Sequence, residues 1–359
     1  MPSNGKSSNG KSSNGKSSNG KSSNGKSSHG KSSHGRSSNG RSRNGPVNRA
    51  TARRIRQFKE RPVRPGDPNL RPKGRLLIIG GHEDKHDGKI ILRELARLVG
   101  SGRLVIATLA SEQPGSQWEE YEATMRSVGV RHLHHLKIES RADAESPAAM
   151  SVLEGATGVF FTGGDQLRLT TLIGDTPVFS RCYEIFVNGG VIAGTSAGAS
   201  VMSETMIVSG NGSSSPRIGE TLQLAPGFAF AKDVVIDQHF AERGRIGRLI
   251  GVVAQNPRIL GLGIDENTAV EIEPFRRFRV LGAGSVTVID GSDLSDTNVA
   301  DDASGRAISV FGVRLHLLTQ GDEFDFPTRT PARGAAAAID EELGIEGEEE
   351  KQEAGAAAE

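Results

Sequence analysis

Gly189-Gly190-Val191-Ile192-Ala193-Gly194-Thr195-Ser196-Ala197-Gly198-Ala199-Ser200 is an apolar run that ends on a serine set among small residues. A short apolar segment bounded by glycines reads as a buried strand, and Gly194 and Gly198, two residues either side of Ser196, give the clearance for a sharp strand-to-helix reversal. That turn is a nucleophile elbow. It holds the Ser196 hydroxyl at the carboxyl end of a strand and aims the Ala197 backbone N–H at the place where an oxyanion would form. A Gly/Ala/Ser turn that only packs tightly has the same composition, so the elbow needs partners elsewhere in the chain.

Outward from the elbow, short apolar runs alternate with helical patterns, the signature of a largely parallel sheet with helices on its faces. Strands are expected at Arg75–Gly80, Leu104–Ala110, His132–Ile138 and Gly158–Thr162 before the elbow, and at Val234–His239 and Ile259–Ile264 after it. Helices are expected at Lys89–Val99, Trp118–Ser127, Ala142–Leu153, Val178–Val187 and Ile246–Ala254. The glycine- and serine-rich stretch from Ser209 to Ser215 reads as a mobile lid, and 268–290 and 308–318 as antiparallel hairpins covering a sheet edge.

The two ends differ in composition from this middle. Residues 1–45 repeat Ser-Ser-Asn-Gly-Lys with almost no apolar side chains, which predicts a disordered basic tail. Residues 46–73 read as a basic, proline-punctuated linker, 74–327 as the catalytic domain and 328–359 as a disordered acidic Ala/Glu-rich tail. Over all 359 residues, 44 basic and 43 acidic side chains leave a net charge of +1, which gives no reason to expect a nucleic-acid partner. The single cysteine, Cys182, rules out an internal disulfide, and no apolar run reaches the roughly eighteen residues a membrane span needs. The chain reads as cytoplasmic.

Ligands of an open parallel sheet sit beyond the carboxyl ends of the strands. The reactive residues expected there are His82, Glu83 and Asp84, then Gly163 to Gln166, then Ser196, then Asp237 to His239, and finally Asp265 and Glu266. A serine nucleophile needs a base, and the base needs a third group to fix its tautomer. Ser196, His239 and Glu266 form that set, with His82 the rival to His239 as base. Arg243, Arg245 and Arg248 at the start of a predicted helix are suited to carboxylates of an acidic substrate. Gly163 and Gly164 permit a second oxyanion donor, and Gln166 can hydrogen-bond a substrate amide.

Four ordered motifs then match a known family: Thr162-Gly163-Gly164-Asp165-Gln166, Gly194-Thr195-Ser196-Ala197-Gly198-Ala199, Ile236-Asp237-Gln238-His239-Phe240 with Arg243, Arg245 and Arg248, and Gly263-Ile264-Asp265-Glu266. Over 74–320 the chain resembles the cyanophycinases, serine exopeptidases related to the aspartyl dipeptidase peptidase E. The resemblance implies a flavodoxin-like α/β fold, a three-layer sandwich like class I glutamine amidotransferases, and a Ser196–His239–Glu266 triad with Gly164 and Ala197 as oxyanion donors. It implies cyanophycin as substrate, a polyaspartate with arginine on its β-carboxyls, cleaved to β-aspartyl-arginine. Asp165, Gln166 and the three arginines match the family's substrate pocket, and Glu83, Asp84 and Glu242 are the acidic groups available for the substrate guanidinium. No metal or organic cofactor is implied, and a homodimer is. An α-aspartyl dipeptidase of the peptidase E kind and an inert binding protein on an amidotransferase-like scaffold are the alternatives. An amidotransferase proper would carry cysteine at the elbow.

Overall fold

A computed structural model describes residues 71–209, 217, 222–274, 276–301 and 305–334. The expected basic tail, almost all of the linker, the acidic end after 334 and most of the expected lid lie outside these residues. Five apolar runs make the parallel half of the main sheet: β1 (Arg75–Ile79), β2 (Arg103–Ala107), β3 (His132–Leu136), β4 (Ala156–Phe161) and β5 (Val191–Thr195). Their order is β1-β5-β4-β2-β3, and all four pairings are parallel. Read from the far edge, β3-β2-β4-β5 is the doubly wound 2-1-3-4 order of flavodoxin-like sheets, with β1 in the fifth place.

The two-residue period of a strand sends alternate side chains to opposite faces, and here both faces are buried. Leu77, Ile79, Leu104, Ile106, Phe160 and Ala193 share one core with helices α1 (Ile90–Val99) and α2 (Pro114–Ser127). Leu76, Ile78, Val105, Val159, Phe161 and Ile192 share the other with α3 (Pro147–Val152), α4 (Gln166–Ile173), α5 (Pro177–Val187) and the short α6 (Ala197–Ser200). The result is the expected three-layer α/β sandwich. Local signals start the helices: Thr176 Oγ1 accepts the Phe179 N–H at 3.3 Å ahead of Pro177, and Asp165 Oδ1 accepts the Leu167 N–H at 2.8 Å ahead of α4.

The remaining elements depart from expectation in three ways. Helix α4 was not anticipated, although Asp165 caps it and Leu169 and Ile173 bury a one-turn repeat. The expected helix over Ala142–Leu153 is a 3₁₀ turn (Asp143–Glu145) followed by α3, because Ser146 caps a fresh start with Pro147 in the first position. The largest departure concerns the second half of the chain. A hairpin of β6 (Thr205–Ser209) and β7 (Gln223–Pro226) is followed by β8 (Val234–Gln238), α7 (Ile246–Gln255) and β9 (Leu260–Ile264). Strands β8 and β9 do not join the main sheet. They pair in parallel in a separate sheet of order β15-β12-β9-β8, with β12 at Val286–Asp290 and β15 at Arg314–Leu318.

One face of that small sheet (Ile236, Leu262, Ile264, Val286, Val288) packs into the same core as α4 and α5, occupying part of the helix layer, while α7 covers its other face through Leu249, Val252 and Val253. Meanwhile β10 (Thr268–Glu273) and β11 (Arg277–Gly282) extend the main sheet as an antiparallel hairpin, β10 pairing antiparallel with β1, instead of covering an edge. Strands β16 (Glu323–Asp325) and β17 (Thr330–Ala332) complete it, so the sheet runs on past 327. A two-residue ladder, β13 (Asp296–Thr297) with β14 (Val310–Phe311), lies between β12 and β15 in sequence. Among the described residues, no helix is long and apolar enough to cross a membrane.

Candidate active site

Three consecutive carbonyls at the end of β1 gather the site. Ile79 O accepts the N–H of Ser196 at 3.1 Å, Gly80 O that of His239 at 2.8 Å, and Gly81 O that of Asn267 at 2.8 Å. The small sheet can come this close because positions 80 and 81 are glycines: a Cβ on Gly80 would lie 2.0 Å from the Asp265 carbonyl oxygen, and one on Gly81 2.3 Å from His239 Cε1.

Ser196 has φ 53° and ψ −112°, a backbone state that costs a non-glycine residue about 1–3 kcal/mol and that persists only where the surroundings impose it. Here the surroundings are the two flanking glycines. A Cβ on Gly194 would meet the Gly198 carbonyl oxygen at 2.2 Å, and one on Gly198 the Phe161 carbonyl oxygen at 2.1 Å. Ala197 opens α6 directly after the serine, and a Cβ on Gly163 would stand 3.3 Å from Ser196 Cβ, so the Gly163-Gly164 turn borders the nucleophile position. Gln117 on α2 fixes that turn by donating to Gly163 O at 3.4 Å and accepting from Thr162 Oγ1 at 2.6 Å.

His239 Nε2 lies 2.9 Å from Ser196 Oγ, and His239 Nδ1 lies 2.6 Å from Glu266 Oε1. The geometry therefore brings Ser196, His239 and Glu266 into one hydrogen-bonded line. His82, the rival base, instead lies 2.9 Å from the other carboxylate oxygen, Glu266 Oε2, with its ring edge-on to that of His239 at 5.0 Å. Asp265, which precedes Glu266, is engaged elsewhere, accepting from Ala241 N and from Ser285 N and Oγ. Burial depresses the His239 pKa below the ordinary histidine range, and the positive charges of Arg243 and His82 act the same way, against the raising influence of Glu266. For Glu266 burial acts upward, but hydrogen bonds and charge from His239 and His82 outweigh it and hold the carboxyl below its usual range.

The arginine trio separates. Arg243 is exposed, and its N–H donates to His239 O at 3.2 Å. Arg245 and Arg248 are buried, and the carboxylate they hold is an internal one, since Arg245 Nη1 donates to Asp237 Oδ1 at 3.1 Å and Arg248 Nε to Asp237 Oδ2 at 2.6 Å. Arg245 donates also to Gln238 O, and Arg248 Nη2 to Asp237 Oδ1. Helix α7 starts beneath the strand end, and the Arg245 and Arg248 side chains are held there by Asp237.

Glu83 is also redirected. It is buried, accepting from Tyr121 OH at 2.5 Å and from Thr195 Oγ1 at 2.7 Å, beneath the residue that precedes the nucleophile. Asp84 ties its own loop by accepting from the N–H groups of His86, Asp87 and Lys89. Glu242 remains at the site, its Oε1 accepting the Glu266 N–H at 3.1 Å. Gln166 donates to Ile207 O at 3.1 Å and Val208 O at 3.2 Å, tying α4 to β6, while the Asp165 carboxylate serves as the helix cap. Cys182 is buried on α5, where desolvation pushes its thiol up to about 12.

The profile of Peptidase family S51 matches residues 76–276. A curated cyanophycinase from Synechococcus elongatus is 39% identical over 259 residues, spanning 71% of this chain and 80% of that protein. Another, from Geminocystis herdmanii, is 36% identical over 262 residues, spanning 72% and 96%. The crystal structure of a peptidase from an acI-B1 Actinobacterium, 22% identical, superposes with a TM-score of 0.53 over 71% of this chain and 98% of that one, a likeness of fold. On the profile match and the identity of these relatives, the chain belongs to peptidase family S51 and is a serine-type peptidase.

Proposed function

We propose that the chain is a cyanophycinase, hydrolysing cyanophycin to β-aspartyl-arginine through an acyl-enzyme on Ser196. The observation that carries the chemistry is the hydrogen-bonded line from Ser196 Oγ through both nitrogens of His239 to Glu266. The substrate is carried over from the relatives that bear that name. In this mechanism Ser196 Oγ attacks an aspartyl carbonyl while His239 Nε2 takes its proton. Glu266 keeps the remaining proton on Nδ1 and offsets the imidazolium charge. The backbone N–H groups of Ala197 and Gly164 hold the oxyanion, His239 returns the proton to the leaving amine, and water releases the dipeptide by the reverse proton path. A depressed His239 pKa supports this role, because it leaves the imidazole neutral and able to accept a proton at neutral pH.

Arg243 is the member of the arginine trio proposed to meet substrate carboxylates, being exposed beside His239. Gln166 and Asp165 are proposed to meet the substrate from the β4 end, and Glu242 is the acidic group proposed for the substrate guanidinium. The enzyme is proposed to work in the cytoplasm as a homodimer. Incubation with insoluble cyanophycin should release β-aspartyl-arginine, and Ser196→Ala should abolish the release. Cleavage of soluble α-aspartyl dipeptides in preference to the polymer would overturn the substrate assignment.

A further inference from the structure

Two imidazoles and one carboxylate converge at the open end of this site. One ligand atom from each of His82, His239 and Glu266 lies within 4.8 Å of the others. His82 Nδ1 and His239 Nδ1 both face the same carboxylate, at 2.9 and 2.6 Å from its two oxygens. Two nitrogens and a carboxylate are the donor set of three-ligand zinc sites that leave a fourth position for water. Ligand atoms around a tetrahedral zinc ion stand about 3.4 Å apart, given bonds of about 2.0–2.2 Å. Both nitrogen-to-carboxylate separations are shorter than that, and the outer member is the one free to adjust around an ion: the His82 side chain is 72% exposed, whereas that of His239 is 4% exposed and fixed by its neighbours.

We propose that this cluster is an inhibitory site for a borderline divalent ion of the zinc class, bound through His82 Nδ1, Glu266 and His239 Nδ1. The inference rests on His239 acting as the base. In the active arrangement the His239 proton sits on Nδ1, shared with Glu266, and the Nε2 lone pair faces Ser196. An ion on Nδ1 needs the lone pair there, so the proton moves to Nε2, with no net change in the proton count of the ring. Nε2 then donates to Ser196 Oγ and can no longer accept from it. Binding shuts off the nucleophile without touching the serine, and removal of the ion reverses it. Magnesium, which prefers six oxygen ligands, is refused by a site with two nitrogens.

The test compares the full-length wild type with His82→Ala, each normalised to its own zinc-free rate of cyanophycin hydrolysis, in a non-chelating buffer. Zinc chloride should inhibit the wild type reversibly on adding a chelator, magnesium chloride should not, and His82→Ala should require at least about tenfold more zinc. Calorimetry with zinc on Ser196→Ala and on Ser196→Ala/His82→Ala gives a readout independent of turnover. The second variant should lose one bound ion or bind it at least about tenfold more weakly. Equal inhibition of wild type and His82→Ala, or equal zinc binding by the calorimetric pair, overturns the site. Zinc binding that depends on His82 but leaves hydrolysis intact overturns the inhibition. Residual hydrolysis by Ser196→Ala without zinc would strike the proposed function instead, so the two failures are separable.

Discussion

The end of β8 lies between two clusters of the same plan. In each, one carboxylate joins two basic side chains: Asp237 holds Arg245 and Arg248, and Glu266 holds His239 and His82. Asp237 and His239 are two residues apart and would share a face of a regular strand, but β8 ends at Gln238 and His239 takes φ 46°, which breaks the alternation and separates the two side chains. The Asp237 cluster is sealed, with the carboxylate side chain 1% exposed, while Glu266 keeps 25% and borders the exposed His82. The basic groups differ in kind as well. Guanidinium stays protonated at any working pH and suits a permanent tie, whereas imidazole changes protonation near neutrality and can move a proton. The same electrostatic motif thus serves as an anchor where water is excluded and the cations are fixed, and as a proton relay where it is open and the bases titrate.

Substitutions can pull the two clusters apart. The largest effect expected is on turnover: His239→Ala should lose on the order of 10⁴-fold in kcat, measured on the polymer, with little change in unfolding midpoint. Asp237→Ala should do the opposite. It leaves two buried guanidinium groups without their carboxylate and should cost about 3–5 kcal/mol in denaturant unfolding. A loss of activity with full stability in Asp237→Ala would show that the two clusters are not separable.

Smaller effects sharpen the distinction. The acid limb of kcat/KM should have its midpoint below the usual histidine value of about 6.5, because protonating His239 removes the base. Arg243→Ala takes a positive charge away from His239, so the protonated form gains and the limb should move toward neutral pH, with a higher KM for the polymer. If Arg245 or Arg248 moved the limb as much as Arg243, the sealed cluster would be coupled to the relay. Least affected should be Cys182, whose thiol is buried and pushed up to about 12. Ellman's reagent should leave it unmodified in the native protein and label one thiol per chain in denaturant.

The parallel half of the fold and the catalytic line were legible because both are written locally. Short apolar runs beside glycines, such as Leu76–Ile79 and Val191–Ala193, read as strands buried on both faces, and Gly194 and Gly198 mark the elbow by steric need. Assignment of β8 and β9 to a second sheet was not legible, since Val234–Ile236 and Leu260–Ile264 are as apolar as any strand of the first. Which neighbour such a strand pairs with depends on contacts far away in sequence. The internal partner of Arg245 and Arg248 was hidden for a related reason. Three like charges around a helix start look alike until that start is oriented, and only then does Asp237 claim two of them. Glu83 reads as an acid available to the substrate guanidinium, and its burial follows from Tyr121 and Thr195, which no local pattern links to it.

The three carbonyls of Ile79, Gly80 and Gly81 join segments that leave the ribosome far apart in time. The nucleophile is made first, its base 43 residues later and the orienting carboxylate 27 residues after that. Until the stretch through Asn267 has docked on the end of β1, Ser196 has no hydrogen-bonded base, so the catalytic line exists only when both halves of the chain are in place.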